Sequence, residues 1–435
     1  MGVQLERQPV VVVGAGQAGL SMSWHLGRRG IDHVVLERER IGHEWRTARW
    51  DSFCLVTPNW QCQLPGFPYS GDDPDGFMVK DEIVRYIEAY AASFEPPVRA
   101  GVAVTGLTRE PGVGPFLLQT SAGPLCADQV VVATGGYHHP VVPRLAERLP
   151  VGITQLHSSQ YRNPGMLPHG DVLVVGTGQS GAQIAEDLHL AGRRVHLAVG
   201  RAPRVARFYR GRDVVAWLAD LGYYDMPVTD HPLGVGVRAN TNHYVTGRDG
   251  GRDIDLRAFA ADGMRLYGRL EELRGERLCF ADDLAANLDH ADEVSESIKN
   301  TIDRYIAKQG IVAPAERRYT PVWRPDPDHP RVLDPCSAGI TSVVWCIGYR
   351  ADYGWIDLPV FNGRGYPTHH RGVTSEPGLH FLGLPWQHTW GSGRFSGVAR
   401  DAEHLGRVIA GQFAARLDGG APNSDRLVNA LALGS

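Results

Sequence analysis

The chain lacks an excess of charge of either sign, any close cysteine pair and any long apolar run. In 435 residues, 44 Lys and Arg stand against 48 Asp and Glu, a formal net charge of −4. A nucleic-acid binder normally carries a basic excess on one face, so that class is set aside. The longest apolar stretches, such as 10–13 and 130–133, are strand-sized, whereas a bilayer span needs roughly 20 apolar residues. No secretory leader is read, because the first apolar stretch is short and already belongs to a structural motif. Six cysteines (Cys54, Cys62, Cys126, Cys279, Cys336, Cys346) are scattered without a CxxC or CxxxxC pair. That spacing fits neither a zinc site nor a redox dithiol, so no metal site is expected and reduced thiols in the cytoplasm are.

What is present is a duplicated pattern. Residues 9–13 form an apolar strand that runs into Gly14-Ala15-Gly16-Gln17-Ala18-Gly19. Leu20, Trp24 and Leu26 follow at helical spacing, and 33–36 read as a second strand ending at Glu37. A GxGxxG is informative only in such a strand–helix–strand setting. The same order recurs as strand 171–175, then Gly176-Thr177-Gly178-Gln179-Ser180-Gly181, helix 182–191 and strand 194–199. Between the two units a helix is expected over 77–92 and strands near 102–107, 116–120 and 129–133. Beyond them, the apolar spacing from Leu284 to Ile306 predicts a long packing helix, and the prolines of 321–335 read as a connector back to the first domain. Strands at 341–347 and 379–384, a closing helix at 398–410 and a loose tail from Gly419 complete the expectation.

Each glycine loop has a physical reason for its spacing. The first Gly makes the tight turn, the second lets a diphosphate approach the backbone, and the third lets helix and strand pack closely. The helix start then offers free N–H groups and a positive dipole. Gly14, Gly16 and Gly19 are therefore candidate binding residues, as are Gly176, Gly178, Ser180 and Gly181. Glu37 lies 18 residues after Gly19, where its carboxylate can bind ribose hydroxyls and would repel a 2′-phosphate; this site suits FAD or NAD. The second unit has no acid there and reads Gly200-Arg201-Ala202-Pro203-Arg204 instead. Guanidinium groups bind phosphate in a bidentate fashion, so Arg201 and Arg204 point to NADPH.

Two dinucleotide sites on one chain imply electron transfer between them, and here the sequence resembles the flavin-containing, class B type of flavoprotein monooxygenase. The resemblance rests on the 14–19 loop with Glu37, on Val131-Val132-Ala133-Thr134-Gly135, on the 176–181 loop and on the closing 344–349 strand. It implies an α/β fold of two Rossmann-like three-layer dinucleotide-binding domains, the NADP domain inserted into the FAD domain. The boundaries are then 1–165 for the first part of the FAD domain, 166–330 for the NADPH domain and 331–435 for the second part of the FAD domain. Residues 55–65 resemble the flavin-contacting stretch of plant indole-pyruvate monooxygenases, with Asn59 where those carry lysine. The fingerprint FxGxxxHxxxY/W falls on 151–161, where His157 and Tyr161 are present while Val151 and Ile153 replace Phe and Gly.

The resemblance further implies that Trp45, Arg46, Thr134, Gly135, Ser396 and Gly397 hold cofactor. The stretch Trp386-Gln387-His388-Thr389-Trp390-Gly391-Ser392-Gly393-Arg394 would then lie by the flavin, with Arg394, His388, Trp390 and Asn59 as candidate catalytic residues. The implied activity is an NADPH-dependent monooxygenation through a flavin hydroperoxide. N-hydroxylation of a small polar amine or amino acid such as aspartate is favoured, because Arg394 can clamp a carboxylate. Ketone oxygenation of the Baeyer–Villiger kind and S-oxygenation stay open as alternatives, as do, further off, a flavin disulfide reductase and a flavin sensor. The partners expected are a small-molecule substrate and O2, with no nucleic acid and no membrane, and a homodimer is left open.

Overall fold

The computed structural model describes residues 5–110 and 114–417, so the tail from Gly419 lies outside the described residues. Two sheets organise the chain. In the first, the strands run in the spatial order Val98–Ala100, His33–Glu37, Glu6–Val13, Leu125–Val132, Phe116–Thr120 and Val104–Thr108. The first four are parallel, and the last two are antiparallel. Leu379–Phe381 adds a further parallel strand against the C-terminal end of Leu125–Val132. The central strands are buried on both faces, which is why they read as continuous valine runs. The Gln17–Gly27 helix covers one face and packs its Leu20, Met22 and Leu26 with Ala402, Leu405 and Ile409 of the Val398–Leu417 helix.

The second sheet is wholly parallel, in the order Thr154–His157, Ile340–Trp345, Asp171–Val175, Val195–Ala198 and Arg265–Tyr267. This moves both inner boundaries expected from sequence. Thr154–His157 falls before residue 166 and Ile340–Trp345 after 330, yet both are strands of the second sheet, hydrogen-bonded to each other. Parallel strands carry the same apolar signature in either sheet, so their sequence does not say which sheet they join. The Leu284–Gln309 helix is present and packs Leu284, Leu288 and Ala291 against this unit.

Candidate dinucleotide cleft and active site

The two glycine loops have almost superimposable geometry. Gly14 has φ +102° and Gly176 φ +99°, a region that glycine alone adopts cheaply. A Cβ on Gly14 would sit 2.8 Å from the Ala133 carbonyl oxygen, and one on Gly176 would sit 2.7 Å from that of Cys346. A Cβ on Gly19 would sit 1.8 Å from the Gly14 carbonyl oxygen, and one on Gly181 would sit 1.9 Å from that of Gly176. At the middle glycines the contrast is complete. A Cβ on Gly16 meets nothing within 4 Å, and one on Gly178 meets only the Thr241 methyl at 3.6 Å. Space is therefore kept where a diphosphate must approach, and both helices start without a side-chain cap, leaving their first N–H groups to a ligand. Ser180 sits in the first turn of the second helix.

Around the first loop, Glu37 accepts from the backbone N–H of Ala15 at 2.7 Å and of Glu39 at 2.9 Å. Each oxygen keeps a lone pair for ribose hydroxyls. Trp45 stacks on Phe395 at 5.6 Å, and its indole N–H donates to Gln17 Oε1 at 3.4 Å. Gln17 in turn donates to the Gly393 carbonyl at 3.0 Å. The glycine loop, the 45–46 segment and the 393–397 loop thus converge. Buried polar atoms without a partner mark the same place: Thr134 Oγ1, Ser396 Oγ and Arg46 Nε. These three, among other unpartnered buried atoms elsewhere in the chain, belong to residues that the sequence had singled out for cofactor. Gly135 (φ +71°) turns the chain after Thr134, and Gly397 packs its Cα against Gly391. The residues fit FAD.

At the second loop the two arginines part company. Arg201 is exposed at the end of the loop that follows Val195–Ala198. Arg204 is buried: its Nε donates to Asp292 at 2.7 Å, and its guanidinium lies 4.1 Å from the Tyr319 ring centroid. An arginine already neutralised inside the fold does not reach a 2′-phosphate, so the expectation for Arg204 is corrected to a structural one. Arg201→Ala is expected to raise the Michaelis constant for NADPH about tenfold, since a charged hydrogen bond contributes about 1.5–3 kcal/mol, with NADH unchanged. Arg204→Ala should instead lower the melting temperature, because it removes a buried guanidinium hydrogen-bonded to Asp292 and packed on Tyr319. Equal losses with both coenzymes for Arg201→Ala would overturn its assignment.

Asn59 is likewise corrected. It is buried, its Nδ2 donates to the Asp73 carbonyl at 2.9 Å, and its Oδ1 accepts from Met78 N–H at 2.8 Å. Both ends of the amide tie down the 73–78 loop, a scaffold role that its place in the sequence could not reveal. His157 faces the Gly348 carbonyl at 3.1 Å and the Ser159 hydroxyl at 3.0 Å, and Tyr161 donates to Asp187 at 2.6 Å. Both therefore fasten the linker to the second unit.

Arg394 is set differently. One Nη donates to the Trp390 carbonyl, the other to Asn242 Oδ1 at 3.2 Å, and the guanidinium lies 4.0 Å from the Trp390 ring centroid. Tyr137, Tyr223 and Tyr224 are the ionisable groups that act on it through space, and among the described residues no carboxylate pairs with it. Burial holds its pKa below the ordinary arginine value. Tyr224 packs on Trp390 at 4.7 Å and Tyr223 on Trp386 at 6.3 Å. The wall facing the Trp-rich loop thus comes from the inserted segment, whose tyrosines and Asn242 carry no motif and were missed in the sequence. His388 is held neutral, its pKa pushed down to about 4 by burial and by Arg371 and Arg400.

Beneath this loop, Ser392 Oγ accepts from the backbone N–H of His388 at 3.0 Å and of Thr389 at 3.1 Å. The same hydroxyl meets the buried Asp401 carboxylate in the first turn of the last helix. Burial pushes Asp401 up from 3.8 to about 6, against Ser392, Arg371 and Arg400, which pull it down. The folded protein therefore holds this proton more tightly than the unfolded chain, and the group becomes destabilising as pH rises through about 6. Asp401→Asn should raise the melting temperature at pH 8 and leave it nearly unchanged at pH 4. An equal gain at both pH values would contradict the titration.

A pair of dinucleotide cradles of the same geometry defines a flavoprotein oxidoreductase with a second nucleotide domain nested in the first. The comparisons agree. A family described as pyridine nucleotide-disulphide oxidoreductase matches residues 11–219. The chain is 34% identical over 401 residues, 91% of its length and 96% of the relative's, to a Geobacillus kaustophilus protein named "Uncharacterized oxidoreductase CzcO-like". It is 34% identical over 191 residues to the indole-3-pyruvate monooxygenase YUCCA1 of Oryza sativa subsp. japonica, covering 43% of this chain and 47% of that one. A flavin-containing monooxygenase from Stenotrophomonas maltophilia shares the fold, with a TM-score of 0.64, 19% identity and coverage of 94% and 99%. The chain belongs to the family of CzcO-like oxidoreductases, it shares the fold of flavin-containing monooxygenases, and the residues of its two glycine loops fit FAD and a nicotinamide dinucleotide.

Proposed function

We propose that this protein is an NADPH-dependent monooxygenase that oxidises the nitrogen of a small amine bearing a carboxylate, such as an amino acid. The observation that carries this reading is Arg394: a half-buried guanidinium, oriented by two neutral acceptors and paired with no acid among the described residues. A desolvated cation without a counter-charge is unfavourable unless a ligand supplies one. Activation of O2 and supply of electrons are the chemistry that bound FAD and NADPH bring.

The chain's own residues bind, orient and keep dry. Arg394 clamps the carboxylate through its fork, which fixes where the amine points. Trp386, Trp390, Tyr223 and Tyr224 wall the cleft and exclude water. His388, its pKa pushed down to about 4 by burial, is neutral at physiological pH and available as a hydrogen-bond partner. A disulfide reductase would need a reactive thiol pair by the flavin. Cys54 and Cys62 are free and buried, with thiols pushed up to about 11 and about 12 by burial, which opposes thiolate formation.

Among the described residues, no helix is long and apolar enough to cross a membrane. A cytoplasmic location is part of the proposal, supported by six scattered cysteines, all free. Incubating the enzyme with NADPH, O2 and a panel of amino acids, uncharged amines, sulfides and ketones, with products read by mass spectrometry, tests the reading. An N-oxygenated amino acid is the expected product. Turnover of a ketone to an ester, with the amino acids untouched, would overturn it.

A further inference from the structure

A second guanidinium in the cleft also meets no carboxylate. Arg49 follows the short His43–Thr47 helix; its Nη1 donates only to the Ala48 carbonyl at 2.9 Å, and it enters no ion pair among the described residues. Its guanidinium lies 4.9 Å from the Trp45 ring centroid and 5.5 Å from that of Phe53. The other deeply set arginines are neutralised within the fold: Arg204 and Arg257 by Asp292 at 2.7 and 2.9 Å, and Arg207 by Asp213 at 2.6 Å. Arg49 is a cation kept half-buried on aromatic faces, with no carboxylate hydrogen-bonded to it among the described residues; Glu44 of the preceding short helix is the one acid that acts on it through space.

Its neighbours connect it to both glycine loops. On one side, Trp45 is hydrogen-bonded to Gln17 in the first turn of the first nucleotide helix. On the other, the ionisable groups that act on it are Tyr349 and Tyr137, which pack on each other at 5.2 Å, and, more weakly, Glu44. Tyr349 lies two residues after Ile347, whose Cγ2 is 3.3 Å from the position of a Cβ on Gly176. Neither loop, Gly14-Ala15-Gly16-Gln17-Ala18-Gly19 nor Gly176-Thr177-Gly178-Gln179-Ser180-Gly181, contains a cation. Within the loops themselves, only backbone N–H groups and helix dipoles would face a doubly charged diphosphate.

We propose that Arg49 is a diphosphate anchor, its guanidinium reaching across the cleft to the phosphate oxygens of a dinucleotide laid on one of the two loops. The planar fork suits paired phosphate oxygens, and the Trp45 and Phe53 faces hold it flat without neutralising it. FAD and NADPH present the same diphosphate chemistry, and binding measurements separate them.

Arg49→Met keeps the length and removes the charge; Arg49→Lys keeps the charge and removes the fork. FAD affinity is read by titrating apoprotein with flavin, and NADP+ affinity by calorimetry on the flavin-loaded protein. Arg49→Met is expected to raise one of these two dissociation constants tenfold or more while the other moves less than twofold, and the constant that moves names the dinucleotide. Arg49→Lys should recover part of the loss. Both constants staying within twofold would overturn the proposal. So would both rising together with a fallen melting temperature in both variants, which would make Arg49 a packing residue.

Discussion

Gly16→Val is expected to yield a folded, colourless protein. The wild-type chain should purify yellow with about one FAD per chain, and the variant with nearly none. Gly16 has extended backbone (φ −75°, ψ −173°), which valine adopts without strain, and a Cβ there touches nothing within 4 Å. The substitution therefore leaves the apoprotein intact and fills only the space through which the diphosphate reaches the helix N-terminus. The third glycine behaves in the opposite way. A Cβ on Gly19 would lie 1.8 Å from the Gly14 carbonyl oxygen, so Gly19→Ala should damage the fold itself. Flavin absorbance, read beside far-UV circular dichroism, distinguishes the two. A yellow, stoichiometrically loaded Gly16→Val protein would mean that the diphosphate does not lie on this loop.

Arg394→Lys should uncouple the enzyme. Lysine keeps the positive charge but cannot donate to the Trp390 carbonyl and Asn242 Oδ1 while also forking onto a carboxylate. The substrate would still be attracted but poorly aimed, and a misplacement of about 1 Å can reduce the productive rate roughly a hundredfold. NADPH consumption should continue, with most of its electrons appearing as H2O2 in place of product. Flavin content should be unchanged, since Arg394 is not among the residues proposed to hold the flavin. Normal coupling in Arg394→Lys would make the residue structural, and a substrate without a carboxylate would become the better reading.

Much of the nucleotide-binding architecture was legible because its requirements are local. A glycine with φ near +100°, an open Cβ direction at the second glycine and a helix start without a cap are each written within six residues, twice. What was not legible depends on partners distant in sequence. Arg201 and Arg204 sit in the same short loop, and only the presence of Asp292, far along the chain, tells the buried one from the exposed one. Asn59 belongs to a loop that needed an amide at both ends, which no motif announces. The membership of Ile340–Trp345 in the second sheet was hidden for a related reason: a buried parallel strand looks alike wherever it is placed.

The pairing of Thr154–His157 with Ile340–Trp345 bears on how the chain closes on itself. Completing the first sheet brings Leu379 beside Val130, and completing its helical layer brings the last helix onto the Gln17–Gly27 helix. In an unstructured chain, each contact would close a loop containing the entire nested unit, with an entropic penalty that grows with the logarithm of that length. Once the second sheet has formed, the segments entering and leaving it are held at neighbouring-strand spacing, about 4.8 Å. The polymer between the two halves of the first unit is then, in effect, only the short connections on either side. The nested unit acts on the first as a cross-link made of backbone hydrogen bonds, drawing its distant halves into a short effective contact order.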